Sequence, residues 1–222
     1  MSAEPYRRVL ESIQEAARLA GRDPKTISLV AVTKNIPWEQ VLPLYQEGQR
    51  EFGESRIPDA FLKMEQAPPD CRWHMIGNLQ ANKIRKIVGR FALIHSVDTP
   101  EIAKKISSVS GELGVSTSIL LEANTSGEAS KHGLSPDAWL EQIEQVVQLP
   151  HLSIRGMMTM APLSEDEKVV RGCFARLRQL RDQIERKVGI KLPVLSMGMS
   201  HDYRLAIAEG ATLVRIGTAL FS

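Results

Sequence analysis

The feature that most constrains this chain is an alternation. Eight apolar, β-rich runs follow one another, "ISLVAVT", "REFGE", "RWHMIG", "ALIHSVD", "TSILLEAN", "SIRGMMTM", "VLSMGMS" and "TLVRIG", and a helical pattern separates each neighbouring pair. Strands that alternate with helices pair in parallel through right-handed crossovers, which pack each helix back onto the sheet. Eight such units point to an α/β fold closed into a (β/α)8 TIM barrel, with an open, doubly wound sheet as the alternative. The 222 residues suit this, since α/β barrels of roughly 200 to 250 residues fold as one unit. Residues 1–222 are therefore expected to form a single domain.

Spacing and end signals define the helices. Tyr6, Val9, Leu10, Ile13, Ala17 and Ala20 share one face of a helix over residues 4–20, with Gly21 as its stop. Val170, Cys173, Phe174, Leu177, Leu180 and Ile184 share another, whose start at Ser164, with Glu167 three residues on, reads as a capping box. Shorter helices fit Trp38 to Gln46, Arg56 to Glu65, Ala81 to Val88, Pro100 to Leu113, Pro136 to Val147 and His201 to Glu209. After the eighth strand comes only "TALFS", so the helix over 4–20 is expected to fill the space beside that strand.

Bulk properties exclude several classes of partner. A formal charge of +2 is too small to argue for nucleic acid or an anionic membrane surface. The first residues carry Glu4 and no apolar core of the kind a secretory signal needs. No segment approaches the roughly 18 uninterrupted apolar residues of a membrane span. Cys71 and Cys173 lie far apart without metal-ligand spacing, so neither a disulfide framework nor a zinc site is suggested. A reduced, cytoplasmic protein is expected.

In a parallel barrel the active site lies at the carboxyl ends of the strands. The residues there are Lys34, Glu54 with Ser55, Gly77 with Asn78, Ser96 with Asp98, Glu122 with Asn124, Thr159 with Met160, Ser200, and Arg215 with Gly217 and Thr218. Lys34 ends a strand apolar enough to be buried on both faces. A lysine there is ordinarily a solvated loop charge; with a pKa depressed by burial or by a cation such as Arg215, it becomes an amine available for a Schiff base. Gly198, Ser200 and the helix expected from His201 outline an anion site, which "RIGTA" extends with backbone donors at Gly217 and Thr218. The other reading is a capped helix and an ordinary turn. His74 lies within a strand and lines the mouth or simply packs; Lys83, Arg85, Lys86 and Arg90 read as a solvated face, Lys131 and His132 as a polar loop, and Met157, Met158 and Met160 as barrel packing. Neither GxxxxGK[ST] nor GxGxxG occurs.

Taken together, "LVAVTKNIP", "FGES", "WHMIGNLQANK", "SVD", "ANTSGEASKHG", "GMMTMAP" and "SMGMSHDYRLAIAEGATLVRIGTALF" resemble the pyridoxal-phosphate homeostasis proteins, single-domain relatives of the alanine racemase barrel domain. The resemblance implies a fold type III barrel that holds pyridoxal 5'-phosphate on Lys34 as an internal aldimine. It assigns Ser200, Gly217 and Thr218 to the phosphate and sets Arg215 against the pyridine nitrogen. With Met199, Ser55, His74 and Asn78, these are the expected cofactor-binding residues. Two departures stand out: Ser55 replaces the family's usual asparagine, and Ser222 stands where the family usually continues with glycine.

Two functions compete on this reading. One is a non-catalytic carrier or buffer of pyridoxal phosphate, monomeric, with cofactor-dependent apo-enzymes as recipients. The other is an amino-acid racemase, which needs a second acid/base group opposite Lys34; of Tyr6, Tyr45 and Tyr203, only Tyr203, in the first turn after Ser200, is expected near the mouth. A third is a barrel that binds another phosphorylated metabolite without covalent attachment.

Overall fold

The computed structural model describes residues 3–128 and 131–222. Eight parallel strands close into a barrel in the order of the sequence: β1 (Ser28–Val32), β2 (Glu51–Glu54), β3 (Arg72–Met75), β4 (Leu93–Val97), β5 (Thr117–Glu122), β6 (Leu152–Met158), β7 (Val194–Ser196) and β8 (Leu213–Ile216). Closure rests on β1 against β8, with Ser28 opposite Leu213 and Val30 opposite Arg215. Each expected strand is present, so the closed barrel holds and the open sheet does not.

Alternation along each strand sorts the side chains into two layers. Val30, Leu93, Leu120, Met158 and Leu213 point inward and form a small cluster inside the barrel. Their chain neighbours Ala31, Ile94, Leu121, Met157 and Val214 point outward into the larger core beneath the helices. In β6 the register shifts by one residue before Gly156. A Cβ there would lie 1.9 Å from the Val194 carbonyl oxygen, so only glycine lets β6 run this close to β7.

The helices are α1 (Glu4–Leu19), α2 (Trp38–Gln46), α3 (Ile57–Gln66), α4 (Ile84–Ile87), α5 (Pro100–Glu112), α6 (Pro136–Val147), α7 (Glu167–Val188) and α8 (Tyr203–Ala208). α1 buries Tyr6, Val9, Ile13, Ala16 and Ala17 and lies beside the end of the chain. Arg22, just beyond it, donates to the Ile207 and Ala211 carbonyls at 2.8 and 2.7 Å, so this helix takes the place of an eighth crossover helix.

Two helix starts differ from expectation. α7 begins at Glu167, where Asp166 accepts from the Lys168 N–H at 2.8 Å. Ser164 instead accepts from the Asp166 N–H at 3.1 Å, closing a turn one step earlier, so it belongs to no capping box. α8 begins at Tyr203, after Asp202 has turned its carboxylate back to the Met199 N–H at 2.6 Å. Ser200 and His201 are thereby left in a turn outside the helix. Similarly, the segment read as one helix over Ala81 to Val88 divides into a 3-10 turn and the short α4.

Candidate functional site

Lys34 reaches the barrel mouth because of how β1 ends. Thr33 is fully buried, and the next two residues are exposed. Asn35 takes the left-handed conformation, φ 64°, which a short amide side chain tolerates and which reverses the chain toward α2. The strand end is clamped from outside the barrel. Glu54 accepts from the Thr33 hydroxyl at 2.6 Å and from Lys63 Nζ at 2.5 Å, and Lys63 also donates to the Thr33 carbonyl. Glu54, counted among the mouth residues from sequence, therefore faces the helix layer and holds the end of β1 in place.

The mouth opens into a cavity of about 500 Å³. Of the expected residues, Lys34, Ser55, Met199, Ser200, Arg215, Gly217 and Thr218 line it together. Ser55 is brought there by close backbone contact: a Cβ on Gly77 would lie 2.2 Å from the Ser55 carbonyl oxygen, so glycine is required where β3 ends. Asn78 lines a neighbouring cavity of about 370 Å³ with Arg56, Lys83 and Lys86. His74 is buried inside the barrel, below the mouth. The sequence reading missed Val32, Ile36, Ile76, His201 and Phe221, noted Ser222 only as a departure from the family, and placed Met160 at its strand end but read it as packing; all seven line the cavity. Strand parity was the available signal, since Val32 points the same way as Val30, and Met160 as Met158.

The lining is basic. Lys34, His201 and Arg215 contribute side chains, and no carboxylate side chain does. Among the described residues none accepts a hydrogen bond from the backbone N–H of Ser200, His201 or Thr218. Backbone donors without acceptors, beside two hydroxyls and fixed cations, suit an anion with several oxygens. Arg215 is buried, donates to Ser196 Oγ at 2.5 Å and to the Thr159 carbonyl at 3.1 Å, and burial pulls its pKa down to about 10. Glu122 and Asp202 face it and act in the opposite direction. Burial, and then Asp98, push Glu122 up to about 7.

The tyrosines are occupied elsewhere. Tyr203 shares a hydrogen bond with Ser12 of α1 at 2.6 Å, on the far side of α8 from the mouth. Tyr6 donates to Gln49 at 3.2 Å and Tyr45 to Asp70 at 2.9 Å. None of the three lines the cavity. Of the basic cluster near α4, Arg85 pairs with Glu112 and Arg90 covers the Phe61 ring, as a solvated face does. Among the described residues no group of acidic, histidine or cysteine side chains could hold a metal ion, and no helix is long and apolar enough to cross a membrane.

Residues 8–222 match the family described as the alanine racemase N-terminal domain. The pyridoxal phosphate homeostasis protein of Aquifex aeolicus is 40% identical over 222 residues, covering 99% of this chain and 97% of its own. That of Pseudomonas aeruginosa is 42% identical, covering 99% and 94%. Among solved structures, PipY of Synechococcus elongatus with pyridoxal phosphate bound superimposes with a TM-score of 0.84 at 38% identity, over 95% of this chain and 100% of that one. Alanine racemase of Clostridium difficile shares the fold, with a TM-score of 0.75 at 16% identity, over 95% of this chain and 56% of that one. The chain belongs to the alanine racemase N-terminal domain family and, within it, to the pyridoxal phosphate homeostasis proteins.

Proposed function

We propose that this chain binds pyridoxal 5'-phosphate at the barrel mouth, attaches it through Lys34, and serves as an intracellular carrier or buffer with no strong catalysis of its own. One observation carries the reading: an exposed amine shares a cavity with a set of anion donors that includes no carboxylate side chain, in a family whose members bear that cofactor's name. The group fits these residues. When bound, it supplies an aldehyde that a primary amine captures with loss of water.

Lys34 Nζ offers that amine. The free N–H groups of Ser200, His201 and Thr218, with the Ser200 and Thr218 hydroxyls, are the partners for the phosphate oxygens, and Gly217 lets the backbone approach. Arg215 is the residue for the ring nitrogen. A guanidinium there disfavours ring protonation, which weakens the electron sink that racemases and aminotransferases exploit. Racemisation by two bases also needs an acid/base group opposite Lys34, and the three tyrosine hydroxyls have partners elsewhere. Both points favour a carrier.

The same reading takes residues 1–222 as one domain and the protein as a cytoplasmic monomer, with cofactor-dependent apo-enzymes as recipients. A carrier needs no partner subunit to complete its site.

The test is an absorption spectrum with added pyridoxal phosphate, then borohydride reduction and peptide mapping. A visible band and a reduced adduct on the Lys34 peptide are expected. Lys34→Ala should lose both and keep its melting temperature, because the side chain is exposed. An adduct confined to other lysines would overturn the assignment, and steady racemisation in a chiral amino-acid assay would overturn the carrier reading.

A further inference from the structure

A row of buried polar side chains crosses the barrel interior beneath the cavity. Arg215 donates to Ser196 Oγ at 2.5 Å. Ser196 Oγ lies 3.0 Å from His95 Nδ1, and His95 Nε2 lies 2.8 Å from His74 Nδ1. His74 Nε2 contacts a carboxylate oxygen of Glu51. Both histidines, Ser196 and Arg215 are at most 4% exposed. Glu51 begins β2, at the end of the barrel opposite the mouth, and its side chain is 29% exposed.

The two ends fix the direction of every bond between them. A guanidinium only donates, so Ser196 Oγ accepts from Arg215 and its own proton goes to His95 Nδ1. His95 then carries its proton on Nε2 and donates to His74 Nδ1. His74 carries its proton on Nε2 and donates to Glu51, whose other oxygen lies 3.0 Å from Arg72 Nε. In this arrangement both imidazoles are neutral and each donor has one acceptor. If His74 were an imidazolium, His95 would present an N–H to Ser196 Oγ alongside Arg215. The serine proton would then lack an acceptor among the described residues, and a second cation would share the row. Burial holds the His95 pKa well below its ordinary value, and the Arg215 charge acts in the same direction.

We propose that Ser196, His95, His74 and Glu51 form a positioning relay that orients the Arg215 guanidinium toward the cavity and holds it only while both imidazoles are neutral. Arg215 has charged neighbours on other elements as well, Glu122 on β5 and Asp202 before α8. The relay supplies the directed acceptor that these carboxylates do not. Its effect on the cofactor rests on the function proposed above, whereas the tautomers belong to the protein alone.

The experiment accordingly has two parts. In the cofactor-free protein at about pH 7.5, long-range proton–nitrogen NMR should show His74 and His95 neutral with the proton on Nε2. An Nδ1–H tautomer or an imidazolium at either position would overturn the relay. In the cofactor-loaded protein, Ser196→Ala should shift the pH midpoint of the cofactor's visible band by at least about threefold in proton affinity. His95→Phe, which keeps a ring and removes both nitrogens, should do the same. A lowered melting temperature with an unmoved midpoint in both variants would reduce the row to packing and overturn the proposal. If the wild-type chain takes up no cofactor, the function fails while the NMR result still decides the tautomers.

Discussion

Lys63→Met should lower stability by about 3–5 kcal/mol, the cost of removing one partner from a buried ion pair. Glu54 is fully buried and Lys63 is 8% exposed in its side chain. One carboxylate oxygen, Oε2, already lacks a hydrogen-bond partner among the described residues. Without Lys63, the Thr33 hydroxyl is the carboxylate's one side-chain donor left among the described residues. The melting temperature should fall by roughly 10 °C in a chain of this length. Pairing the change with Glu54→Leu should recover most of the loss, because an apolar pair of similar volume removes the stranded charge. A single variant within about 1 kcal/mol of wild type would mean that water reaches the Glu54 carboxylate in the native state. There is also a consequence for the site. The clamp holds Thr33, the residue before Lys34, so the single variant should bind pyridoxal phosphate more weakly even where it remains folded.

That clamp was legible only in part. The sequence placed Glu54 and Lys34 at neighbouring strand ends, because eight apolar runs separated by helices favour a closed parallel barrel, in which consecutive strands are neighbours. It assigned Glu54 to the mouth, since a strand end by itself does not say which layer a side chain enters. Parity does: Glu54 shares the orientation of Phe52, which packs outward against Trp38 and Trp73. The turn chemistry before α8 was hidden for another reason. Ser200 has good capping chemistry, but Asp202 reached the Met199 N–H first, and the competition between two short polar side chains was settled by tertiary packing. Tyr203 followed from that shift, because starting the helix at residue 203 turns the phenol toward α1. The apolar wall of the cavity and the histidine row had no motif. They arise from register between strands distant in sequence, such as His95 on β4 meeting Ser196 on β7 across the barrel.

Glu122→Gln should stabilise the protein at about pH 8 and have little effect near pH 4. The residue ends β5 with its side chain inward and is 3% exposed. Burial raises its pKa from 4.5 to about 7, Asp98 adds to the rise, and Arg215 opposes it. The sign follows from comparing the two states. The folded protein holds the proton more tightly than the unfolded chain, so this group's contribution is fully present below 4.5 and is lost as pH rises through about 7. The lost contribution approaches about 3 kcal/mol above that range, at about 1.4 kcal/mol per pKa unit. Glutamine keeps the shape of the neutral acid and cannot ionise, which removes the penalty. The variant should therefore gain at least about 5 °C in melting temperature at the higher pH. Arg215 retains Asp202 as a facing carboxylate and its bonds to Ser196 and Thr159, so loss of the Glu122 charge does not leave it alone. Destabilisation of the variant that grows with pH would show the reverse, that Glu122 is ionised in the native barrel and that its attraction to Arg215 outweighs burial.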